Sequence, residues 1–124
     1  MIFKTLTRFI FDSNKCKGNK VRYNALLPFI SKNGKYETSV FGCHGLEKEK
    51  IWDMNERTDS SLKGRGDFPK DVLGKDELKK LFFEISEPPE NHGNICGWPD
   101  EDEKFVRVQL AKELALKCKF FSYE

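Results

Sequence analysis

Pro88-Pro89-Glu90-Asn91-His92-Gly93-Asn94-Ile95-Cys96-Gly97-Trp98-Pro99 is the stretch on which the fold turns. Its prolines, glycines and asparagines restrict or release the backbone, and this composition predicts a loop. A strand-like run, Leu81 to Ile85, precedes it and a helical pattern follows it. The stretch therefore reads as the loop that closes a small sheet and launches the last helix. Trp98-Pro99 reads as a packing anchor that sets the direction of entry.

Outward from this loop, the helix signal begins at Asp100, an N-cap type, with Glu103 at capping-box spacing. Acids crowd its first turn, and Lys117 and Lys119 lie near its end, both favourable to the helix dipole. Val106, Leu110, Ala111, Leu114, Ala115 and Cys118 form the predicted apolar stripe. Upstream, residues 2–11 alternate as a strand, and Lys20 to Leu27 and Tyr36 to Cys43 read as two more, with Asn33-Gly34 as a hairpin turn. The simplest arrangement of these three is a meander. Leu46 to about Arg57 has helical spacing, residues 58–67 read as a loop, and Phe68 to Gly74 as a short helical turn. With 124 residues and eleven Phe, the chain can bury a core without metal or disulfide staples. The expectation is one α+β domain over 1–124: an antiparallel sheet of three to five strands with the C-terminal helix packed on one face.

Net charge of +2 conceals a polarity. Residues 1–36 carry eight Lys/Arg against Asp12 alone, while residues 84–103 carry seven acids and no Lys or Arg. The four cysteines form no C-x-x-C pair, no secretory leader is legible, and no apolar run approaches a membrane span. These features predict a cytoplasmic protein with reduced thiols and no membrane partner.

Two glycine-containing segments hold the candidate chemistry. Gly64 and Gly66 flank Arg65, with Asp67 beside it, and His92 and Asn94 flank Gly93. Arginine suits bidentate contact with phosphate, and histidine suits proton transfer. Asp67 would orient His92 or act as a base, and Asn94 would donate to a developing negative charge. Converging from loops 63–67 and 91–97, the four would form a polar pocket for a nucleotide or phosphoester. The structural reading of the same residues is that His92 bonds backbone carbonyls and Arg65 pairs with Asp67. No spacing here belongs to an established catalytic motif.

Cys43, His44, His92 and Cys96 are of zinc-ligand type, with Cys16 or water as the further donor such a site would need. Adjacent Cys and His on a strand point to opposite faces, so the set falls short, and nothing else implies a metal or cofactor. Lys15, Lys17, Lys20 and Arg22, with Tyr23, Phe29 and Tyr36 near in sequence, would suit a nucleic-acid-binding hairpin. The third alternative is a protein–protein interaction or regulatory module without catalysis.

Glu37-Thr38-Ser39-Val40-Phe41, Ile51-Trp52, Lys63-Gly64-Arg65-Gly66-Asp67 and His92-Gly93-Asn94-Ile95-Cys96-Gly97-Trp98-Pro99, ahead of a Leu/Ala-rich helix, resemble a family of small uncharacterised bacterial proteins. The resemblance spans about residues 20–117. It implies a standalone bacterial protein and brings no activity with it.

Overall fold

The computed structural model describes residues 1–55 and 61–123, apart from the Glu101 side chain. In chain order the elements are β1 (Thr5–Ile10), β2 (Cys16–Lys17), β3 (Lys20–Val21), β4 (Phe29–Ile30), β5 (Tyr36–Gly42), α1 (Lys48–Asp53), β6 (Gly64–Pro69), β7 (Phe82–Ile85), β8 (His92–Cys96), α2 (Lys104–Leu116) and β9 (Lys119–Ser122). Short 3-10 turns link several of them. Seven strands form one antiparallel sheet, ordered β7-β8-β5-β1-β6-β9 with β4 also pairing with β5, and β2 and β3 form a separate hairpin.

The sheet is thus wider than three to five strands, and the reason lies in the glycines. Residues 91–97 and 63–67 were expected to be loops, but their central residues are strands β8 and β6. At Gly93 an added Cβ would run into the Phe83 ring and come within 2.7 Å of the Glu84 carbonyl oxygen. At Gly66 it would meet Val21 at 2.6 Å, and at Gly64 the Phe121 carbonyl oxygen at 2.5 Å. These glycines are strand positions where a neighbour approaches closely, not turns. The meander is also corrected. β1 pairs directly with β5 (Leu6 with Gly42) and with β6 (Thr7 with Asp67, Phe9 with Arg65), while Lys20 contributes only to the separate hairpin. A 3-10 turn, Tyr23–Ala25, interrupts the expected second strand.

Strand alternation gives β1 two buried faces. Leu6 and Ile10 join Val40, Phe68, Ile95, Trp98, Ala111 and Leu114 in the larger core beneath α2. Phe9 joins Phe41, Cys43, Ile51, Trp52 and Leu62 in a second core on the opposite face, where α1 sits. The C-terminal helix does pack on one face. However, its first turn is 3-10 (Glu101–Glu103), Asp100 makes no side-chain cap bond, and α2 proper starts at Lys104. Val106 of the expected stripe is exposed, and Arg107 is buried instead. The Arg107 guanidinium bonds the Pro99 and Asp100 carbonyl oxygens and lies 4.0 Å from the Tyr36 ring centre, so its charge is accommodated. The expected helix from Leu46 is shorter, ending at Asp53, and its projected end at Arg57 lies outside the described residues.

Gly97, at φ +91°, does need its lack of a side chain. A Cβ there would collide with the Lys80 backbone carbonyl. Gly97→Ala is expected to destabilise the protein by about 2–3 kcal/mol, combining left-handed strain with an overpacked backbone contact. Urea unfolding measures it, and an effect below about 0.5 kcal/mol would show that the contact between the end of β8 and the start of β7 relaxes freely.

Candidate functional site

β8 and β6 carry the four candidate residues on the same sheet face, but β5 and β1 stand between them. Phe41 lies opposite His92, Thr7 opposite Phe41, and Asp67 opposite Thr7. Three interstrand steps separate the two pairs, roughly 14 Å. Phe9 and Phe41, with ring centres 5.6 Å apart, occupy the intervening surface. The single pocket expected between loops 63–67 and 91–97 is therefore split into two groups with different chemistry.

Arg65 and Asp67 form the first group. The Arg65 Nε donates to both Asp67 carboxylate oxygens, at 3.1 and 3.3 Å. The guanidinium carbon lies 4.5 Å from the Trp52 ring centre and 4.6 Å from that of Phe121. Only 7% of the Arg65 side chain and 14% of the Asp67 side chain is exposed. Burial raises the Asp67 pKa, and hydrogen bonding to Thr7 and the charge of Arg65 oppose that rise without cancelling it. The Arg65 Nη1 has no hydrogen-bond partner among the described residues and is itself buried. Stacked between two rings, this pair welds β6 to α1 and β9.

His92 and Asn94 belong to the second group, together with a residue the sequence did not single out. Ser39 lies directly across from Asn94 in the β5–β8 ladder. Its Oγ is 2.6 Å from His92 Nε2. On the other side of the ring, Nδ1 is 2.8 Å from the Ser86 carbonyl oxygen. A carbonyl oxygen accepts only, so Nδ1 carries the proton and donates. In the neutral ring Nε2 is then an acceptor, and the Ser39 hydroxyl donates to it. The order is hydroxyl, Nε2, Nδ1–H, oxygen: a nucleophile type, a base and a group that orients the base.

Other residues hold this arrangement in place. Phe41 meets the His92 ring edge-on, with ring centres 5.2 Å apart. Arg8 reaches from the opposite sheet face, donating from Nη1 to the Ser39 carbonyl oxygen at 2.9 Å and from Nε to that of Ala25 at 2.8 Å. Its burial lowers the arginine pKa to about 10, still far above neutrality. The Asn94 side-chain amide makes no hydrogen bond among the described residues, and Asn94 is the register partner of Ser39 on the same sheet face.

Two residues further along β5 and β8, at Glu37 and Cys96, is a cavity of about 330 Å³ that Ser39, His92 and Asn94 do not themselves line; its walls include Tyr36, Phe82, Glu84 and Trp98. Its field is negative. Burial first, then the charges of Glu37 and Glu84, push the Cys96 thiol up to about 11. Burial likewise pushes Cys43 and Cys118 up to about 12, with Asp67 adding to each. These thiols stay protonated near neutral pH, which suits neither metal ligation nor nucleophilic attack. Native-state alkylation near pH 8 should therefore be slower at Cys43 and Cys118 than in the urea-unfolded chain by about tenfold or more. Equal rates, read by peptide mass spectrometry, would contradict their buried placement.

Among the described residues no three of His, Cys, Asp and Glu come together as a metal would require. His44 instead contacts the Thr5 hydroxyl at 3.3 Å, away from His92. The basic hairpin leaves Lys17, Lys20 and Arg22 exposed and Lys15 half-buried. Two of its aromatic neighbours are already covered by cations of the same chain: Tyr23 by Lys112 at 5.4 Å and Tyr36 by Arg107. Among the described residues no helix is long and apolar enough to cross a membrane.

No known protein family, curated protein or solved structure matches this chain. Its chemistry has to be read from these side chains.

Ser39 was missed because nothing local marks it. Thr38-Ser39-Val40 reads as ordinary strand, and its role follows only from the register that sets it opposite Asn94 and one diagonal step from His92.

Proposed function

We propose that the chain is an ester hydrolase in which Ser39 is the nucleophile, His92 the base and Asn94 the oxyanion donor. The observation that carries this reading is the Ser39 Oγ–His92 Nε2 contact of 2.6 Å, with Nδ1 tied to the Ser86 carbonyl oxygen at 2.8 Å. As Oγ attacks an ester carbonyl carbon, its proton passes to Nε2. The oxygen of that carbonyl becomes negative and accepts a hydrogen bond from the Asn94 amide. Nε2–H then protonates the departing alcohol. Water, deprotonated by the same nitrogen, cleaves the acyl–Ser39 bond and restores the serine. Ser86 replaces the usual carboxylate with a carbonyl dipole, which keeps the tautomer but stabilises the cationic ring less.

The nucleotide or phosphoester substrate suggested by Arg65 and Asp67 is less well supported than a carboxylic ester. That pair is spent on internal contacts, and Glu37, two residues along β5 from the serine, and Glu84, opposite Asn94 on β7, repel an anionic phosphate. A neutral ester escapes that repulsion. The nucleic-acid reading keeps its exposed Lys17, Lys20 and Arg22 but lacks free aromatic platforms at Tyr23 and Tyr36.

The test is a fluorophosphonate probe and a p-nitrophenyl acetate assay on the intact chain. Mass spectrometry is expected to find the probe on Ser39 alone, and Asn94→Ala to lower kcat by about a hundredfold with little change in KM. Labelling at another serine, or none, overturns the assignment.

A further inference from the structure

A groove at the β7 edge of the sheet lies outside the Ser39 site. It runs between the Ile2–Lys4 turn, the Lys70–Val72 turn and β7, and encloses about 790 Å³. Its apolar lining comes from Ile2, Phe3, Pro69, Phe83 and Ile85. The Phe3 and Phe83 ring centres are 5.3 Å apart and form part of its wall. Ile85 is 56% exposed, well beyond what an edge strand needs for packing.

Four charged residues line the groove: Lys4, Lys70, Asp71 and Glu84. Thr5 pairs with Pro69 at the end of the β1–β6 ladder, and Lys4 and Lys70 are the next residues of the two chains, each in a 3-10 turn that lines the groove. Neither is paired with a carboxylate among the described residues. Asp71, the nearest acid in sequence, is 3.8 Å from Lys75. Glu84 lies opposite Asn94, so strand alternation turns its side chain to the Ser39 face and away from Phe83 and Ile85. Two cations on one groove repel each other until an anion comes between them. The β7 edge also has spare donors. The Ser86 N–H donates to the His92 carbonyl oxygen at 2.9 Å, and alternation then points the N–H groups of Phe83 and Ile85 away from β8.

An apolar trough with an unneutralised cation pair at its rim fits an amphiphile with a negative head. We infer that this groove binds a fatty carboxylate, its alkyl chain lying along Phe3, Phe83 and Ile85 and its carboxylate held by Lys4 and Lys70. This does not depend on the Ser39 chemistry, and Ser39→Ala should bind the same ligand unchanged.

The experiment is a fluorescence titration with dansyl-labelled undecanoic acid, displaced by dodecanoate or by dodecanol. Saturable binding is expected, with dodecanoate the stronger competitor. Lys4→Glu combined with Lys70→Glu should weaken dodecanoate about tenfold, the sum expected of two exposed charge pairs, and leave dodecanol unaffected. Ile85→Asp, at an exposed position, should weaken both. Absence of saturable binding, or dodecanoate binding indifferent to the two lysines, overturns the assignment. So does sedimentation of the wild-type protein as a dimer that Ile85→Asp returns to monomer, because a second copy would then cover the groove.

Discussion

Ser39→Ala is expected to lower p-nitrophenyl acetate hydrolysis by roughly a thousandfold or more, with His92→Ala alike and the double variant scarcely worse than either. The non-additivity is the informative part. A nucleophile and its base act as one unit, so removing the second after the first costs little. The fold should survive both changes. Ser39 and His92 are half-buried on a strand pair otherwise held by backbone bonds and by Ile95 and Val40 on the other face. Loss of the one hydrogen bond should cost only about 1 kcal/mol of stability. Additive losses in the two single variants, or hydrolysis that persists in Ser39→Ala, would reduce the contact to a cross-strand hydrogen bond.

Arg65→Ala should destabilise the protein by about 3 kcal/mol near neutral pH, because it leaves a buried carboxylate without its cation. It also removes a guanidinium packed between Trp52 and Phe121, the contact that joins α1 to the sheet. The pH dependence separates the two contributions. Asp67 already has a raised pKa, so the folded protein binds its proton more tightly than the unfolded chain does. Stability attributable to this group is therefore greatest below the ordinary value of 3.8 and falls as pH rises through the folded pKa. Removing Arg65 takes away one of the effects that lowers this pKa, so the folded value rises further and the loss deepens towards neutrality. The deficit of Arg65→Ala relative to wild type should shrink between about pH 7 and about pH 4. Urea unfolding at several pH values measures this. A deficit that is constant with pH would assign the whole cost to lost packing.

Much of the architecture can be read locally. The alternation in residues 2–11, the Asn33-Gly34 turn, the run at Leu81–Ile85 and the C-terminal helix all depend on neighbours close in sequence, and each element forms, though β1 is confined to Thr5–Ile10 and α2 begins at Lys104 rather than Asp100. His92 and Asn94 were legible as chemistry-bearing types flanking a glycine. The glycines misled in both segments, because the same residue serves a turn and a strand that must admit a Phe83 ring or a Val21 methyl. Arg107 misled as well, since burial of its charge depends on Tyr36 and on the carbonyls of Pro99 and Asp100.

By itself, the sequence determined which segments alternate, where the last helix runs and which residue types were available for chemistry. Only the tertiary structure decided which of them meet. Strand order is set by long-range packing: by inserting β5 and β1 between β8 and β6, it separated Arg65 from His92 and filled the gap with Phe9 and Phe41. The same pairing register, in which shifting by one residue would turn every side chain to the other face, brought an unremarkable Ser39 to His92 and Asn94.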